Sequence, residues 1–274
     1  MFCEILGNVR KTVPLIHNIT NYVTANDCAN ILLACGGSPI MADDAGEVEE
    51  ITALCAGLHL NLGTLSQRTV PAMLAAGKRA NALNHPVVLD PVGAGASAMR
   101  TATARKLLEE IRFAVIRGNL SEIRTLALGT GGARGVDADV ADEVSPETLG
   151  QAVAFARDFA RKTGAVIAIT GAIDIVADGE MAYCIYNGHP DMRKVTGTGC
   201  QLSAMTAAFV AANPGHALEA AAAAVCAMGL CGEKARQRMT PLDGNASYRN
   251  YIIDGVYNLT GEELERGARY EVRE

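Results

Sequence analysis

The stretch VVLDPVGAG, residues 87–95, contains the structural unit that recurs along this chain. Its apolar start is typical of a strand buried on both faces, and Asp90 ends the strand directly before a glycine-rich turn. A helical stretch follows over Met99–Ile111, where apolar residues recur at three- and four-residue spacing. A strand, a turn and an amphipathic helix in succession are the building unit of α/β proteins.

Apolar runs of the same kind alternate with longer helical patterns throughout the sequence. The predicted strands are Pro39–Ala42, Leu58–Leu62, Pro86–Asp90, Phe113–Ile116, Ala165–Thr170, Ile173–Ala177 and Met181–Tyr186. This alternation predicts an α/β fold with a mostly parallel central sheet and helices on both faces. The last two strands are separated by Asp178-Gly179-Glu180, which predicts a hairpin and an antiparallel edge.

Three further helices are predicted from periodicity and capping residues. One covers Asn21–Ala34, and another starts at the N-cap Ser145 and stops at Gly164. The third, Ala217–Gly232, is too short and too rich in alanine to span a bilayer, so we expect a buried helix. The glycine- and aspartate-rich segment Gly129–Glu143 is predicted to be a surface excursion. No Pro/Ser-rich linker interrupts the chain, which favours a single domain over residues 1–274.

Composition narrows the possible functions. The 274 residues are 49% hydrophobic and carry a formal net charge of −6, which argues against a general nucleic-acid-binding role. None of the eight cysteines forms a CxxC pair or a zinc pattern, so we expect buried thiols in a reducing compartment. Residues 1–10 lack the apolar core of a signal peptide. These features predict a soluble, cytoplasmic protein.

The clearest chemical motif is VTGTGC, residues 195–200, which runs directly into an apolar helical pattern. The glycines at 197 and 199 leave space above the backbone, and the first amides of a helix have no partner within it. The loop Gly197–Cys200, including Thr198, can therefore cradle a phosphate or a transferring phosphoryl group. It is neither a Walker A loop nor a GxGxxG fingerprint. An ordinary tight turn into a helix is the alternative.

Two other strand ends carry charged or amide side chains. Asp90 is placed where ligands gather in open α/β sheets and where a carboxylate can hold Mg²⁺, although it could equally cap a helix. Residues 117–122 read RGNLSE. Arg117 could contact ATP phosphates, while Asn119 and Glu122 could organise a metal and its waters or simply cap the next helix.

Weaker signals lie at two other positions. Thr170 ends a predicted strand beside a glycine and could bond to a nucleotide, although alone it carries little information. The stretch HNITN, residues 17–21, precedes a predicted helix. We interpret His17 as a structural histidine whose hydrogen bonds are satisfied within the protein. Asn21 could line a pocket.

Taken together, these motifs resemble those of the hydroxyethylthiazole kinases. The matching stretches, in the same order and at compatible spacings, are residues 17–21, 38–42, 89–95, 117–122, 169–171 and 196–200. The resemblance implies a ribokinase-like three-layer αβα sandwich. It also implies ATP- and Mg²⁺-dependent phosphorylation of the primary hydroxyl of 4-methyl-5-(2-hydroxyethyl)thiazole in thiamine salvage.

The resemblance also implies roles for individual residues. Met41, Gly197 and Asn21 would bind the thiazole alcohol, Met41 through its backbone. Arg117, Thr170 and Asn119 would bind ATP, Asp90 and Glu122 would hold the metal, and Gly197–Cys200 would form the anion hole. Family members are similar in forming trimers with the substrate site between subunits, so a homotrimer is expected.

Two departures and two alternatives accompany this interpretation. Related sugar kinases end the anion loop with an aspartate base, whereas this chain has Cys200, whose thiol would need help to act as a base. Ala172 stands where the family pattern has a glutamate. A kinase for a hydroxymethylpyrimidine or a pyridoxal-type alcohol, and a nucleotide-binding module without catalysis, remain alternative hypotheses.

Overall fold

A computed structural model describes residues 1–128 and 144–274, so the predicted surface excursion at 129–143 lies outside the described residues. Within the described part, nine strands form one sheet in the order β2-β1-β3-β4-β5-β6-β7-β8-β9. Their bounds are β1 Leu15–Ile19, β2 Ser38–Met41, β3 Gly57–Asn61, β4 Val87–Asp90, β5 Val115–Asn119, β6 Val166–Thr170, β7 Asp174–Ala177, β8 Ala182–Ile185 and β9 Tyr270–Arg273.

The sheet is parallel over β1 to β6 and antiparallel from β7 onward. The hairpin predicted at Asp178-Gly179-Glu180 is confirmed, since Asp178 Oδ1 accepts from the amides of Glu180 and Met181 at 2.7 and 2.9 Å. The parallel order places the carboxyl ends of six strands along one edge of the sheet, where side chains distant in sequence can meet.

Helices cover both faces of this sheet. Their bounds are α1 Phe2–Thr12, α2 Ala25–Cys35, α3 Val48–Leu54, α4 Thr69–Ala82, α5 Ala98–Glu110, α6 Leu120–Leu128, α7 Leu149–Thr163, α8 Thr198–Ala212, α9 Ala217–Arg238, α10 Asn245–Asn258 and α11 Gly261–Gly267. Helices α3 to α7 pack on one face, and α1, α2 and α8 to α11 form the other layer. The predicted helices on both faces are confirmed.

The strand side chains alternate between two apolar cores. In β4, Val88 belongs to the core beneath α8, whereas Val87 and Leu89 belong to the core beneath α4 and α5. Burial on both sides explains why these strands appear as continuous apolar runs in the sequence. Helix α9 contains the segment predicted to be a buried helix. Within the described ranges, none of the helices combines the length and the apolar character that crossing a bilayer requires.

Two predicted helix starts were wrong, by three residues for α7 and by four residues for α2. Helix α7 begins at Leu149, because Ser145 instead forms a preceding turn in which its amide donates to Thr148 Oγ1 at 2.9 Å. Helix α2 begins at Ala25, because Asn21 Oδ1 accepts from the amide of Thr24 at 3.1 Å and holds a turn there. In both cases a residue of a type that often caps helices closes a turn that precedes the helix, instead of capping the helix itself.

Strands β1 and β9 were absent from the predicted set. Residues 17–19, interpreted as the approach to a helix, instead lie in β1 between β2 and β3. His17 is fully buried, with Nδ1 2.9 Å from Thr52 Oγ1 and Nε2 2.9 Å from the carbonyl of Ala42. Both ring nitrogens are therefore paired within the protein, and the structural role predicted for this histidine is confirmed.

His59 is a second buried histidine, on the opposite face of the sheet. Its Nδ1 lies 3.1 Å from Asn18 Oδ1, and its Nε2 has no hydrogen-bond partner among the described residues. Burial lowers the pKa of His59 to about 3, and the positive charge of Arg117 acts in the same direction. The ring is consequently neutral in the folded protein at pH 7.

Replacing His59 by glutamine should make the free energy of unfolding depend less on pH below about 6.5. The unfolded chain binds a proton at this ring below its ordinary pKa of 6.5 whereas the folded chain does not, so stability is lost as pH falls from 6.5 toward 3. Per pH unit in that window, the wild type should lose about 1.4 kcal/mol more than His59→Gln. Guanidinium chloride unfolding at several pH values measures both free energies, and parallel curves would contradict the prediction. The pKa of His17 is also lowered by burial, but His17 is present in both proteins, so its contribution to the pH dependence cancels in the comparison.

Candidate functional site

Four polar side chains converge where β3, β4, β5 and β6 end. Asn61, Asp90 and Thr170 are the last residues of their strands, and Arg117 is the third residue of β5. Strand alternation points all four toward the layer of α8 and α9, because their neighbours Leu60, Leu89, Ile116 and Ile169 belong to the core on the other face. These neighbouring strands therefore supply a continuous polar row beneath the start of α8.

The predicted glycine loop leads into α8 as expected. Gly197 is the N-cap, with a φ of +85°, and the amide of Gln201 makes the first helical bond to the Gly197 carbonyl at 2.9 Å. The amides of residues 198–200 are those that helix geometry leaves without an intrahelical acceptor. Together with the helix dipole they create a site that favours an anion.

Both glycines of the loop have close neighbours. A Cβ on Gly199 would lie 2.5 Å from Arg117 Nη1, so a side chain there would displace the guanidinium from its present place against the helix start. A Cβ on Gly197 would collide with the methyl group of Thr24 on the loop before α2. The loop is therefore fitted to β5 on one side and to the Thr24 loop on the other.

Arg117 connects the helix start to two strands. Its Nη2 donates to Thr170 Oγ1 at 2.5 Å, and its Nη1 lies 3.8 Å from Asp90 Oδ2. The side chain is only 13% exposed. The structure thus brings together Arg117, Thr170 and the glycine loop, which were each predicted to take part in the site.

Asp90 is fully buried and only partly paired. Its Oδ2 accepts from Asn61 Nδ2 and from the Ser203 hydroxyl, both at 2.9 Å, while its Oδ1 has no hydrogen-bond partner among the described residues. Burial raises the pKa of Asp90 to about 6, and the neighbouring charge of Glu122 adds to this, whereas Arg117 and the two hydrogen bonds lower it. An unpaired buried carboxylate oxygen is costly unless a ligand completes its environment.

Glu122 is occupied by backbone amides. Its Oε1 accepts from the amide of Gly93 at 2.8 Å and its Oε2 from that of Asn119 at 2.9 Å. Asn119 Oδ1 in turn accepts from the backbone amide of Glu122 at 2.8 Å, which completes a capping box at the start of α6. The helix-capping alternative for Asn119 is thus confirmed, and Glu122 also ties the turn after β4 to the end of β5.

The donor set fits a hard cation at one point. The unpaired oxygen of Asp90 is the kind of ligand that Mg²⁺ prefers, and such ions take one or two carboxylates together with phosphate and water oxygens. The described residues contain no group of three or more His, Cys, Asp or Glu side chains arranged to hold a metal alone. A metal here would depend on a bound phosphate for most of its ligands.

Cys200 lies in the first turn of α8 with a buried thiol. Its sulfur accepts from Asn21 Nδ2 at 3.4 Å, and the same amide group donates to Asn61 Oδ1 at 2.9 Å. Burial raises the pKa of the Cys200 thiol, and the nearby charge of Asp90 raises it further, against the lowering effect of hydrogen bonds from Thr24, Asn61 and Asn21. The protonated thiol is therefore favoured.

Met41 lies away from this row, at the end of the edge strand β2. It lines a cavity of about 470 Å³ at the carboxyl ends of β1, β2 and β3. The walls are Asn18, Thr20, Tyr22, Ala25, Met41, Ala42, Asp43, Thr64, Ser66, Arg68 and Thr69. Asn21 does not line this cavity, although the preceding residue, Thr20, does. The Asn21 side chain instead bonds to Cys200 and to Asn61 of the polar row.

Sequence reasoning missed three members of the site. Asn61 ends β3 just as Asp90 ends β4, so the same strand-end argument could have identified it. Ser203 lies one helical turn after Gly199 and could have been found from the period of α8. Thr24, which packs against Gly197, carries no signal in the sequence, because its position depends on the turn held by Asn21.

Comparisons with known proteins show which family this chain is similar to. The family described as the hydroxyethylthiazole kinase family matches residues 6–262. A hydroxyethylthiazole kinase of Clostridium acetobutylicum is 65% identical over 271 residues, which cover 99% of each chain. One from Desulfovibrio desulfuricans is 48% identical over 280 residues, covering 99% of this chain and 98% of the relative.

Solved structures give the same result for the fold. A hydroxyethylthiazole kinase protein from Pyrococcus horikoshii superposes with a TM-score of 0.88 at 36% identity, covering 100% of this chain and 99% of that one. A pyridoxal kinase from Staphylococcus aureus, solved with AMP-PCP and pyridoxal, has a TM-score of 0.62 at 17% identity, over 94% and 97% of the two chains. At that identity the likeness concerns the fold alone. The predicted ribokinase-like αβα sandwich is confirmed.

Alanine at Gly197 should destabilise the fold more than alanine at Gly215. Both glycines have a left-handed backbone, with φ values of +85° and +83°, but a Cβ at Gly215 would meet nothing within 4 Å. Gly215→Ala should therefore cost about 1 kcal/mol of unfolding free energy for the backbone alone. Gly197→Ala should cost about 1–3 kcal/mol more for the collision with Thr24. Denaturant unfolding of the two variants tests this, and equal losses would show that the loop is not fitted to Thr24.

Proposed function

This chain belongs to the hydroxyethylthiazole kinase family and is a kinase of thiamine salvage, and we propose that ATP is its phosphoryl donor at the site built around Arg117. The acceptor is the primary hydroxyl of 4-methyl-5-(2-hydroxyethyl)thiazole. The observation that carries the proposal is the packing of the Arg117 guanidinium against Gly199. That packing places a fixed positive charge beside the unpaired amides at the start of α8.

Charge stabilisation is the main chemical task of this site. Phosphoryl transfer proceeds through a loose transition state in which negative charge is spread over the transferring oxygens. The amides of residues 198–200 and the Arg117 guanidinium are held in place by the fold, so they need no reorganisation as that charge develops. Thr170 fixes one end of the guanidinium through its 2.5 Å bond.

Magnesium, when bound, would neutralise phosphate charge, and Asp90 is the residue that would hold it through its unpaired oxygen. The bonds from Asn61 and Ser203 orient the carboxyl group so that this oxygen stays free of protein partners. Glu122 has both oxygens on backbone amides and supports the strand ends in this arrangement. Its predicted metal role therefore remains a hypothesis.

The acceptor alcohol is proposed to occupy the cavity beside Met41. Met41, Ala25 and Ala42 give that cavity one apolar wall, while most of its other lining side chains are polar or charged. Its volume of about 470 Å³ suits a small heteroaromatic ring. It lies at the same edge of the sheet as the polar row, and the chain passes from its wall at Thr20 to Asn21 beside Cys200. A hydroxyl reaching from this cavity would point toward the start of α8.

The wider assignments follow the family resemblance and stay proposals. The continuous sheet from β2 to β9 supports a single domain. Exposed apolar side chains at Tyr22, Val23 and Met41, near the free edge of β2, support burial against other copies in a homotrimer, which sedimentation equilibrium would measure. All eight cysteines are free thiols, which supports a reducing, cytoplasmic location.

The choice of alcohol can be tested directly. The purified protein with ATP and Mg²⁺ should release ADP with the thiazole alcohol, and with a hydroxymethylpyrimidine or pyridoxal its kcat/KM should be at least about 100-fold lower, because a misfitting ring loses contacts in the transition state. Asp90→Asn is the matched control, since it retains the hydrogen-bond acceptor but not the negative charge. Mass analysis of the product identifies the monophosphate. Turnover of pyridoxal in preference to the thiazole would contradict the proposal, and ATP binding without turnover of any alcohol would favour the non-catalytic module.

Cys200→Ala should lower kcat by less than about tenfold, whereas loss of a general base commonly costs 10²–10⁴-fold. The physical reason is the raised pKa of the buried thiol, which disfavours the thiolate at neutral pH. Steady-state kinetics of Cys200→Ala and Cys200→Ser across pH provide the measurement. A loss of kcat of two or more orders of magnitude would restore the base role, if the variants also lose a rise of kcat with pH that the wild type shows.

A further inference from the structure

Asp174 is a carboxylate at the edge of the site that the proposed function leaves unused. It is the first residue of β7, and its Oδ1 accepts from the amide of Gly171 at 2.8 Å. This bond closes the short connection between β6 and β7. Because residues 175 and 177 belong to the core beneath α7, strand alternation directs Asp174 toward the layer that carries α8 and α9.

The closed turn leads directly to the Arg117 contact. Gly171 follows Thr170, whose Oγ1 accepts from Arg117 Nη2 at 2.5 Å. Asp174 is also within electrostatic reach of the same guanidinium. Burial raises the pKa of Asp174 to about 7, and the Gly171 amide and the charge of Arg117 counteract part of that rise. Arg117 therefore lies 3.8 Å from Asp90 Oδ2 and also acts electrostatically on Asp174.

In the described part of the chain, the Gly171 amide and the charge of Arg117 on β5 are the groups that lower the pKa of Asp174 against the effect of burial. The charge of Asp174 in turn raises the pKa of the buried Cys226 thiol on α9, after the larger effect of burial. Ala172, in the same connection, is exposed. The bond from Asp174 is therefore a polar restraint on a turn whose preceding residue, Thr170, contacts the arginine.

We propose that Asp174 is a positioning residue for the nucleotide, because it holds the turn after β6 in the conformation that lets Thr170 orient Arg117 toward the phosphates of ATP. The inference rests on the proposed function, since it takes Arg117 and Thr170 as the nucleotide contacts. Without the bond to Gly171 the turn samples other conformations, and the apparent affinity for ATP falls in proportion to the fraction that remains competent. Binding of the alcohol in the cavity beside Met41, which neither Arg117 nor Thr170 lines, is expected to be unaffected.

Two variants of Asp174 measure this effect against a matched control at Asp178. Asp174→Ala should raise the KM for ATP about tenfold, the loss expected for a hydrogen bond to a charged group, and leave kcat and the KM for the alcohol within about twofold. Asp174→Asn keeps an acceptor for Gly171 and should stay within about threefold of the wild type. Asp178→Ala removes a similar turn-closing carboxylate at the other end of β7, and its KM for ATP should be unchanged.

The outcomes separate this inference from the proposed function. An unchanged KM for ATP in Asp174→Ala, an equal rise in the KM for the alcohol, or the same rise in Asp178→Ala would overturn the positioning role. If Asp174→Ala does not fold, Asp174→Glu keeps the charge but displaces the acceptor, and it should raise the KM for ATP as well; no rise would overturn the proposal. Thr170→Ala reports on the proposed function itself. If Thr170→Ala weakens ATP binding and Asp174→Ala does not, only the present inference fails, whereas no effect in either variant overturns both.

Discussion

The contact between the Arg117 guanidinium and the start of α8 is the interaction on which this site depends. The glycine at position 199 leaves room for this contact, because a Cβ there would lie 2.5 Å from the guanidinium and displace it. The contact also places a positive charge 3.8 Å from the buried carboxylate of Asp90, which offsets part of the cost of burying that carboxylate. One arginine therefore connects β4, β5, β6 and α8 and fixes the geometry of the anion site.

The second constraint is the sheet itself. Parallel strands bring their carboxyl ends to one edge, and alternation selects every second side chain for the face beneath α8. Asn61, Asp90, Arg117 and Thr170 satisfy both conditions, although they are spread over 110 positions of the chain. Helix α8 then supplies neutral donors, backbone amides and the Ser203 hydroxyl, so the site stabilises negative charge mostly with groups that need not change protonation. The high pKa of the Cys200 thiol is consistent with this division of roles.

Strand β1 and the starts of α2 and α7 were not predicted correctly, because the polar side chains in these segments have partners that residue type alone does not reveal. His17 and Asn18 interrupt the apolar pattern of β1, so the strand was not predicted, yet both are buried and bonded, to Thr52 and His59 respectively. Asn21 and Ser145 have the residue types of helix N-caps, but their hydrogen bonds close turns that precede the helices. A sequence pattern shows that a side chain can cap or pair, and the available partner decides which of these occurs.

The sequence by itself determined the alternation of strands and helices, the glycine loop before α8 and the charged residues that end the strands, because these depend on local periodicity and on neighbouring residues. Only the tertiary structure decided how those residues are used. The bond from Ser203 to Asp90 joins residues 113 positions apart, and Glu122 meets Gly93 across 29 positions. Partners, burial and the resulting pKa of a carboxylate arise from such long-range packing, which residue spacing does not encode.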